Sequence, residues 1–125
     1  AMKYLMLVYS DAELLNALPP GEFDTMMRGC LQHADELRAQ GCVLDSQQLE
    51  APTTARTFRT GGGKVSITDG PYAEAKEMLA GFNLIEADSL DQAGRVAQEF
   101  PWLQYGATEV RPVIDMNSVR QRVGA

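Results

Sequence analysis

The stretch Lys3-Tyr4-Leu5-Met6-Leu7-Val8-Tyr9 decides the fold class of this chain. Long apolar, aromatic and β-branched residues in a run of this length favour an extended strand. Side chains of a strand point alternately to its two faces, and here both sets are apolar. A strand that is apolar on both faces is expected to be covered on both faces, so it belongs in the middle of a layered domain.

Two amphipathic helices are predicted after this strand. The first runs from Glu22 to about Gln40, and Gly41 supplies its C-terminal cap. The second is capped by Ser89, with Gln92 completing a capping box, and it ends at Pro101. Apolar residues recur in the first helix at three- and four-residue spacings, which places them in one stripe. This stripe consists of Phe23, Met26, Met27, Cys30, Ala34 and Leu37.

Five more strands are predicted, preceded by a short helix from Asp11 to Leu18. The strands run from Cys42 to Leu49, Thr54 to Thr60, Lys64 to Thr68, Gly81 to Asp88 and Ala107 to Ile114. The glycine run at 61–63 forms a tight connection between the second and third of these strands. The tail from Asn117 is polar and mildly basic, and we expect it to be frayed or in one loose turn.

This order of elements predicts an α+β fold. It fits a split βαβ arrangement, in which an antiparallel sheet carries both long helices on one face and an extra hairpin is inserted. Such a protomer is ferredoxin-like. In a monomer the other face of the sheet would expose apolar residues of the first strand. An exposed patch of that kind on a small acidic protein indicates association, so a homodimer packed sheet to sheet is predicted.

Length and composition limit the class of protein. The 125 residues, 45% of them hydrophobic and 22% charged, predict one domain over residues 1–125. The net charge of −6 and the lack of a basic cluster argue against nucleic-acid binding. No apolar run approaches the ~20 residues that span a bilayer, and no signal peptide is evident. The sequence therefore predicts a cytoplasmic protein that does not contact membranes.

Neither a cofactor nor a metal ion is expected. Cys30 and Cys42 lack the spacing of a metal site and are expected to be reduced thiols, with a disulfide as the alternative. One histidine supplies too few ligands for a structural zinc site. The sequence contains no serine elbow or dinucleotide fingerprint. Its glycine run is not a phosphate loop, because it joins two strands and does not open a helix.

The segment from Thr68 to Phe82, TDGPYAEAKEMLAGF, is the most distinctive in the chain. It resembles the signature of the DGPF-type branch of the YCII-related family, with Tyr72 in place of the usual phenylalanine. Four other blocks agree with that family in order: KYLM at 3–6, DELRA at 35–39, LIEA at 84–87 and EVRP at 109–112. The resemblance implies a dimeric α/β-barrel built from ferredoxin-like protomers, and it extends over most of the chain.

The resemblance implies less about activity. The wider superfamily includes small lyase- and isomerase-like enzymes, some of which are thought to use a His/Asp pair in a cleft. Genes of the DGPF-type branch often neighbour those of extracytoplasmic-function sigma factors, which suggests a regulatory role. The family therefore implies either a small enzyme or a regulatory module.

His33 and Asp69 are the candidates for catalysis. His33 lies about 60° from Cys30 on a helical wheel, at the edge of the apolar stripe, where it could serve as a general base. The alternative is a boundary histidine with no role. Asp69 precedes Gly-Pro, so it either holds the turn through its own backbone or acts as a base or as the partner that orients a histidine.

Four further residues are candidates for ligand binding: Tyr72, Glu74, Lys76 and Arg111. The first three belong to the DGPYAEAKE segment, where a solvated ion-pair cluster explains the charges equally well. Arg111 shares a strand face with Glu109, opposite Val110, and is expected to point into the space between sheets. It would clamp a carboxylate or phosphate there, unless a salt bridge already occupies it.

Two functions follow from these candidates. The first is a small cofactor-free acid–base enzyme, lyase- or isomerase-like, acting on a small polar or anionic molecule in the dimer cleft. The alternative is a non-catalytic small-ligand sensor or interaction module linked to sigma-factor regulation. In a dimer, convergence of His33 and Asp69 on one pocket would favour the enzyme, and their separation by more than ~10 Å would favour the module.

Overall fold

A computed structural model describes residues 2–125 as six strands and four helices. The strands are β1 (Met2–Asp11), β2 (Val43–Gln48), β3 (Arg56–Gly61), β4 (Lys64–Asp69), β5 (Glu77–Ala87) and β6 (Gly106–Pro112). The helices are α1 (Ala12–Asn16), α2 (Glu22–Ala39), α3 (Leu90–Ala97) and α4 (Met116–Val123). Short 3₁₀ turns at Pro52–Thr54 and Pro101–Tyr105 complete the secondary structure.

Four strands form the main sheet in the order β2-β5-β1-β6, and every neighbouring pair is antiparallel. This is the strand order of a ferredoxin-like protomer, so the predicted α+β fold class is confirmed. The doubly apolar β1 lies inside the sheet, between β5 and β6, as expected for a strand whose two faces both need covering. Strands β3 and β4 form a separate two-stranded sheet, which is the extra hairpin.

The hydrophobic core lies between the main sheet and the helices α2 and α3. Its largest fully buried side chains are Tyr4, Met6 and Ile85, from the two central strands. Cys30 and Leu37 of α2, together with Ala93, Val96 and Ala97 of α3, belong to the same core. Both helices therefore cover one face of the sheet, as predicted.

We call the opposite surface the open face of the main sheet. Leu5 of β1 pairs with Leu84, and Leu7 pairs with Phe82. All four side chains are half-buried, and they alternate with the core residues along their strands. The protomer thus presents an apolar strip on the face that the sequence predicts to be exposed.

The glycine run closes the hairpin with a two-residue turn. Gly62 and Gly63 adopt φ values of 57° and 78°, and two successive left-handed residues are typical of a type I′ turn. Strand β5 begins at Glu77, four residues before the predicted start at Gly81. The reason is that β5 continues to pair with the end of β1 past an irregularity between Val8 and Tyr9.

The expectation of a frayed tail is wrong. Residues 116–123 form α4, whose N-cap is Asp115, with Oδ1 accepting a hydrogen bond of 3.0 Å from the backbone N–H of Asn117. Gly124 ends the helix with φ 77°. Side-chain capping at one end and a left-handed glycine at the other stabilise this short helix. None of the helices in residues 2–125 is long and apolar enough to cross a membrane.

Candidate functional site

A pocket of about 220 Å³ opens between α2 and the helix-covered face of the main sheet. Phe23, Met27 and Cys30 reach it from successive turns of α2, because the apolar stripe faces the sheet there. Trp102, from the 3₁₀ turn before β6, closes one side, and its ring centroid lies 5.9 Å from that of Phe23. Val8 lines the sheet side of this mostly apolar cavity.

The polar side chains that line the pocket are uncharged: Ser10, Ser46, Gln47, Gln48 and Asn83. Ser46 and Asn83 are paired across β2 and β5, and Ser10 lies near the end of β1. Among residues 2–125, no side chain of Asp, Glu, His, Lys or Arg lines the pocket. Cys30 is its one ionisable group in that range, and burial raises the pKa of this thiol above its ordinary value of 9.0. The pocket is therefore electrically neutral at physiological pH.

Strand β5 comes close to β2 beside this pocket because residue 81 is glycine. A methyl group on Gly81 would lie 2.7 Å from the backbone oxygen of Gln47. The approach of the two backbones brings Ser46 and Asn83 together. Sequence reasoning missed Asn83, although an amide among the apolar residues of β5 is the signal that could have found it.

His33 lies outside the pocket, beside the end of α3. Its Nε2 is 3.1 Å from Oε1 of Glu99, and its Nδ1 is 3.5 Å from Oε2 of Glu36. The imidazole ring also packs against Phe100, with ring centroids 5.2 Å apart. Both ring nitrogens thus face carboxylates, and the side chain ties α2 to the segment after α3. The catalytic role of His33 stays a prediction.

Asp69 ends β4 on the hairpin. Its Oδ1 lies 3.3 Å from Nε of Arg56, and both side chains are exposed. The contacts of Asp69 and of His33 have no residue in common, because one belongs to the separate two-stranded sheet and the other to the helix layer. Within the protomer, the two predicted catalytic residues are therefore not brought together at one pocket.

Tyr72 and Lys76 lie on the loop that connects the hairpin to β5. Tyr72 is 79% exposed, and the guanidinium carbon of Arg59 lies 5.2 Å from its ring centroid. Lys76 Nζ lies 3.6 Å from Oδ2 of Asp11, whose side chain is only 4% exposed. Asp11 also caps α1 through the N–H of Glu13 at 3.0 Å. Lys76 therefore attaches the loop to the end of β1. Glu74, on the same loop, is exposed.

Arg111 lies on the open face of the main sheet. It pairs with Leu5 across β6 and β1, whereas Val110 packs on the core side. The neighbouring Glu109 accepts a hydrogen bond of 3.2 Å from the hydroxyl of Tyr9. Burial, followed by the hydrogen bond and charge of Glu109, raises the pKa of Tyr9, and the charge of Arg111 acts in the opposite direction. Among residues 2–125, Arg111 forms no ion pair.

The turn that starts this loop supplies a stability prediction. Gly70 adopts φ 108°, which a β-branched residue rarely reaches. Gly70→Val is expected to lower the free energy of unfolding by about 1–2 kcal/mol. Gly61→Val is the matched control, because Gly61 lies on the same hairpin without a positive φ and has free space around its Cβ position. Equal melting temperatures of the two variants in circular dichroism would contradict the prediction.

Comparisons with known proteins identify the family of this chain. Residues 2–117 match the YCII-related domain. The chain is 33% identical over 114 residues to the uncharacterised protein R00369 of Rhizobium meliloti (strain 1021), covering 90% of this chain and 92% of that protein. The chain is also similar to a solved structure, 5-chloro-2-hydroxyhydroquinone dehydrochlorinase (TftG) from Burkholderia phenoliruptrix AC1100 in complex with 2,5-dihydroxybenzoquinone. The two sequences are 18% identical, the TM-score is 0.45, and the match covers 90% of this chain and 94% of that one. The chain belongs to the YCII-related domain family, as its DGPY segment predicts.

Proposed function

We propose that this protein binds a small, uncharged and largely apolar molecule in the pocket between α2 and the main sheet. The observation that carries the proposal is the neutral lining of that pocket. An anionic ligand would lose its hydration there without gaining a cation, which costs several kcal/mol. A neutral molecule would lose little hydration and would bury apolar surface. This favours the ligand-binding module over the acid–base enzyme.

The volume of the pocket sets the size of the ligand. An apolar cavity of ~150 Å³ holds a molecule of benzene, so about 220 Å³ admits a monocyclic aromatic with small substituents. Phe23 and Trp102 offer ring faces and edges to such a molecule. Ser46 and Asn83 offer a donor and an acceptor for one hydroxyl or carbonyl group. A phenol combines these features.

The acid–base enzyme has less support. A general base must reach the proton that it removes, at ~2.6–3.2 Å or through one water. His33 faces two carboxylates outside the pocket, and Asp69 is paired with Arg56 on the hairpin. Cys30 does line the pocket, but burial raises its pKa, which disfavours the nucleophilic thiolate. Binding without catalysis is therefore the function that these contacts favour.

A second copy of the chain is proposed to cover the open face of the main sheet. The half-buried Leu5, Leu7, Phe82 and Leu84 support this homodimer, because an apolar strip on a protein of charge −6 is otherwise left against water. The free thiols of Cys30 and Cys42 suit a reducing compartment, so we propose that the protein acts in the cytoplasm.

Calorimetric titration at pH 7 tests the ligand proposal. The matched probes are 4-methylphenol, which is neutral at that pH, and 4-methylbenzoate, which is anionic. The phenol is expected to bind at least about tenfold more tightly, because no cation lines the pocket to compensate the carboxylate. Tighter binding of the benzoate, or binding of neither probe, would contradict the proposal.

Two variants locate the binding. Ser46→Phe places a ring in the pocket from β2 and should abolish binding of the phenol. Gln32→Phe is its control, because Gln32 is exposed on α2 outside the lining. Asn83→Leu should weaken the binding of the phenol without weakening the binding of toluene, because toluene forms no hydrogen bond. If Gln32→Phe weakened phenol binding as much as Ser46→Phe does, this pocket would not be the binding site. The same conclusion would follow if Asn83→Leu left phenol binding unchanged.

A further inference from the structure

Helix α1 is the part of the ligand pocket that its own packing holds least. It is five residues long, and none of the five is buried. Leu15, which is half-buried, lines the pocket from this helix. A helix of this length is unstable by itself in water, and residues 19–21, which follow it, are exposed. The position of Leu15 therefore depends on how the start of α1 is held.

Asp11 holds the start of α1. Its Oδ1 accepts the hydrogen bond from the backbone N–H of Glu13 at 3.0 Å, so the carboxylate is the N-cap of the helix. Asp11 is also the last residue of β1, and the preceding residue, Ser10, lines the pocket. The carboxylate thus lies at the junction between the sheet side of the pocket and α1.

The charge of Asp11 connects this junction to the DGPY loop. The side chain is 4% exposed, so little water can solvate its charge. Glu77 lies directly opposite on β5, and a like charge there repels it. Lys76 Nζ, 3.6 Å from Oδ2, offsets both effects, and no other ion pair reaches Asp11 among residues 2–125. Without Lys76, the carboxylate would gain by turning toward water, away from the N–H of Glu13.

We propose that Lys76 is a positioning residue of the ligand pocket, and that the DGPY loop thereby regulates the affinity of the pocket. Lys76 does not line the pocket, so it acts through Asp11, α1 and Leu15 in turn. A loop that keeps Lys76 at Asp11 keeps Leu15 against the ligand. A loop that withdraws Lys76 releases α1 and removes one apolar contact. This inference rests on the proposed function, since it concerns the affinity of the same pocket.

The hairpin holds the other end of this loop. Thr57 Oγ1 donates a hydrogen bond of 2.9 Å to the carbonyl of Gly70, and Gly70 N–H donates one of 2.7 Å to the carbonyl of Ala55. The loop is thus attached to the hairpin by hydrogen bonds and to the pocket by one ion pair. The ion pair is the weaker attachment, because its lysine is 78% exposed and salt screens its charge. Regulation by the loop therefore acts at Lys76.

Calorimetric titration with 4-methylphenol at pH 7 tests the proposal on the full chain. Lys76→Met removes the charge and should weaken phenol binding about threefold to tenfold. Lys76→Arg keeps a cation beside Asp11 and should restore most of the lost affinity. Lys64→Met is the control, because it makes the same change at an exposed position on the hairpin. Wild-type affinity in Lys76→Met, equal losses in Lys76→Met and Lys64→Met, or no recovery in Lys76→Arg would overturn the proposal.

A double-variant cycle shows whether Lys76 acts through α1. Leu15→Ala shortens the side chain that carries the effect to the ligand. In that background Lys76→Met should change the phenol affinity little, because the contact that it controls is already lost. Asp11→Asn keeps an oxygen to cap α1 but has no charge, so it should weaken binding as Lys76→Met does. Additive losses in the cycle, or wild-type affinity in Asp11→Asn, would overturn the proposal.

Titration of the wild type separates this proposal from the proposed function. If 4-methylphenol does not bind the wild type, the ligand proposal fails and the role of Lys76 fails with it. If the phenol binds the wild type and Lys76→Met equally, the ligand proposal stands and only the regulation by the loop is overturned.

Discussion

Replacing Gly106 by alanine is expected to lower the free energy of unfolding by about 3 kcal/mol or more. A methyl group at this position would overlap the backbone oxygen of Tyr9 and approach Cα of Ser10 to 3.0 Å. Both are backbone atoms of β1, which is held on its other side by β5 and has little room to move. The φ of 165° at Gly106 is extended, so the cost arises from lack of space rather than from backbone strain.

Gly94→Ala is the matched control for this change. Gly94 lies inside α3, and nothing lies within 4 Å of the position of its missing Cβ. Alanine is favoured over glycine within a helix, so this variant is expected to gain about 0.5–1 kcal/mol. Urea denaturation of the two variants and of the wild type measures both effects. If Gly106→Ala is as stable as the wild type, β6 does not approach β1 as closely as described.

Leu7→Glu is expected to convert a dimer into a monomer at micromolar concentration. Leu7 lies between Phe82 and Glu109 on the open face of the main sheet. A carboxylate in the middle of a sheet-to-sheet contact would lose its hydration directly opposite the carboxylate of Glu109, which costs several kcal/mol. In the separated protomer the same carboxylate can reach water at this half-buried position, so the fold should survive.

Light scattering measures the mass of this variant, and circular dichroism checks its fold. Leu14→Glu is the control, because it makes the same change at an exposed position on α1, away from the sheet. A wild type with the mass of a monomer would contradict the sheet-to-sheet dimer. The dimer proposal also fails if Leu7→Glu keeps the mass of a dimer.

The regular elements were predictable because their signals are local. The apolar stripe and Gly41 place the end of α2 within one residue of the expected Gln40. Ser89 caps α3 through the N–H of Gln92, as the capping box predicts, although the side chain of Gln92 accepts from Asp88. The caps of α4 are equally local, but that helix lacks a buried face, so hydropathy patterning did not reveal it.

The candidate site was predictable only in part. The odd and even positions of β6 place Arg111 and Val110 on opposite faces, and the structure agrees. The helical wheel also places His33 near Cys30. Although only one turn of α2 separates them, Cys30 lines the pocket and His33 faces Glu99. The wheel gives the direction in which each side chain leaves the axis of α2. Which residues that side chain contacts depends on where α3 packs.

The sequence by itself determined the central strand, the helices α2 and α3, the tight connection of the hairpin and the family. Each of these depends on residues close together in the chain, through periodicity, capping or the φ range open to glycine. Only the tertiary structure decided that Lys76 meets the buried carboxylate of Asp11, that Asn83 faces a neutral pocket, and that His33 and Asp69 have separate partners within one protomer. These contacts join segments far apart in sequence, so they depend on how the sheet, helices and hairpin pack, which no local pattern records.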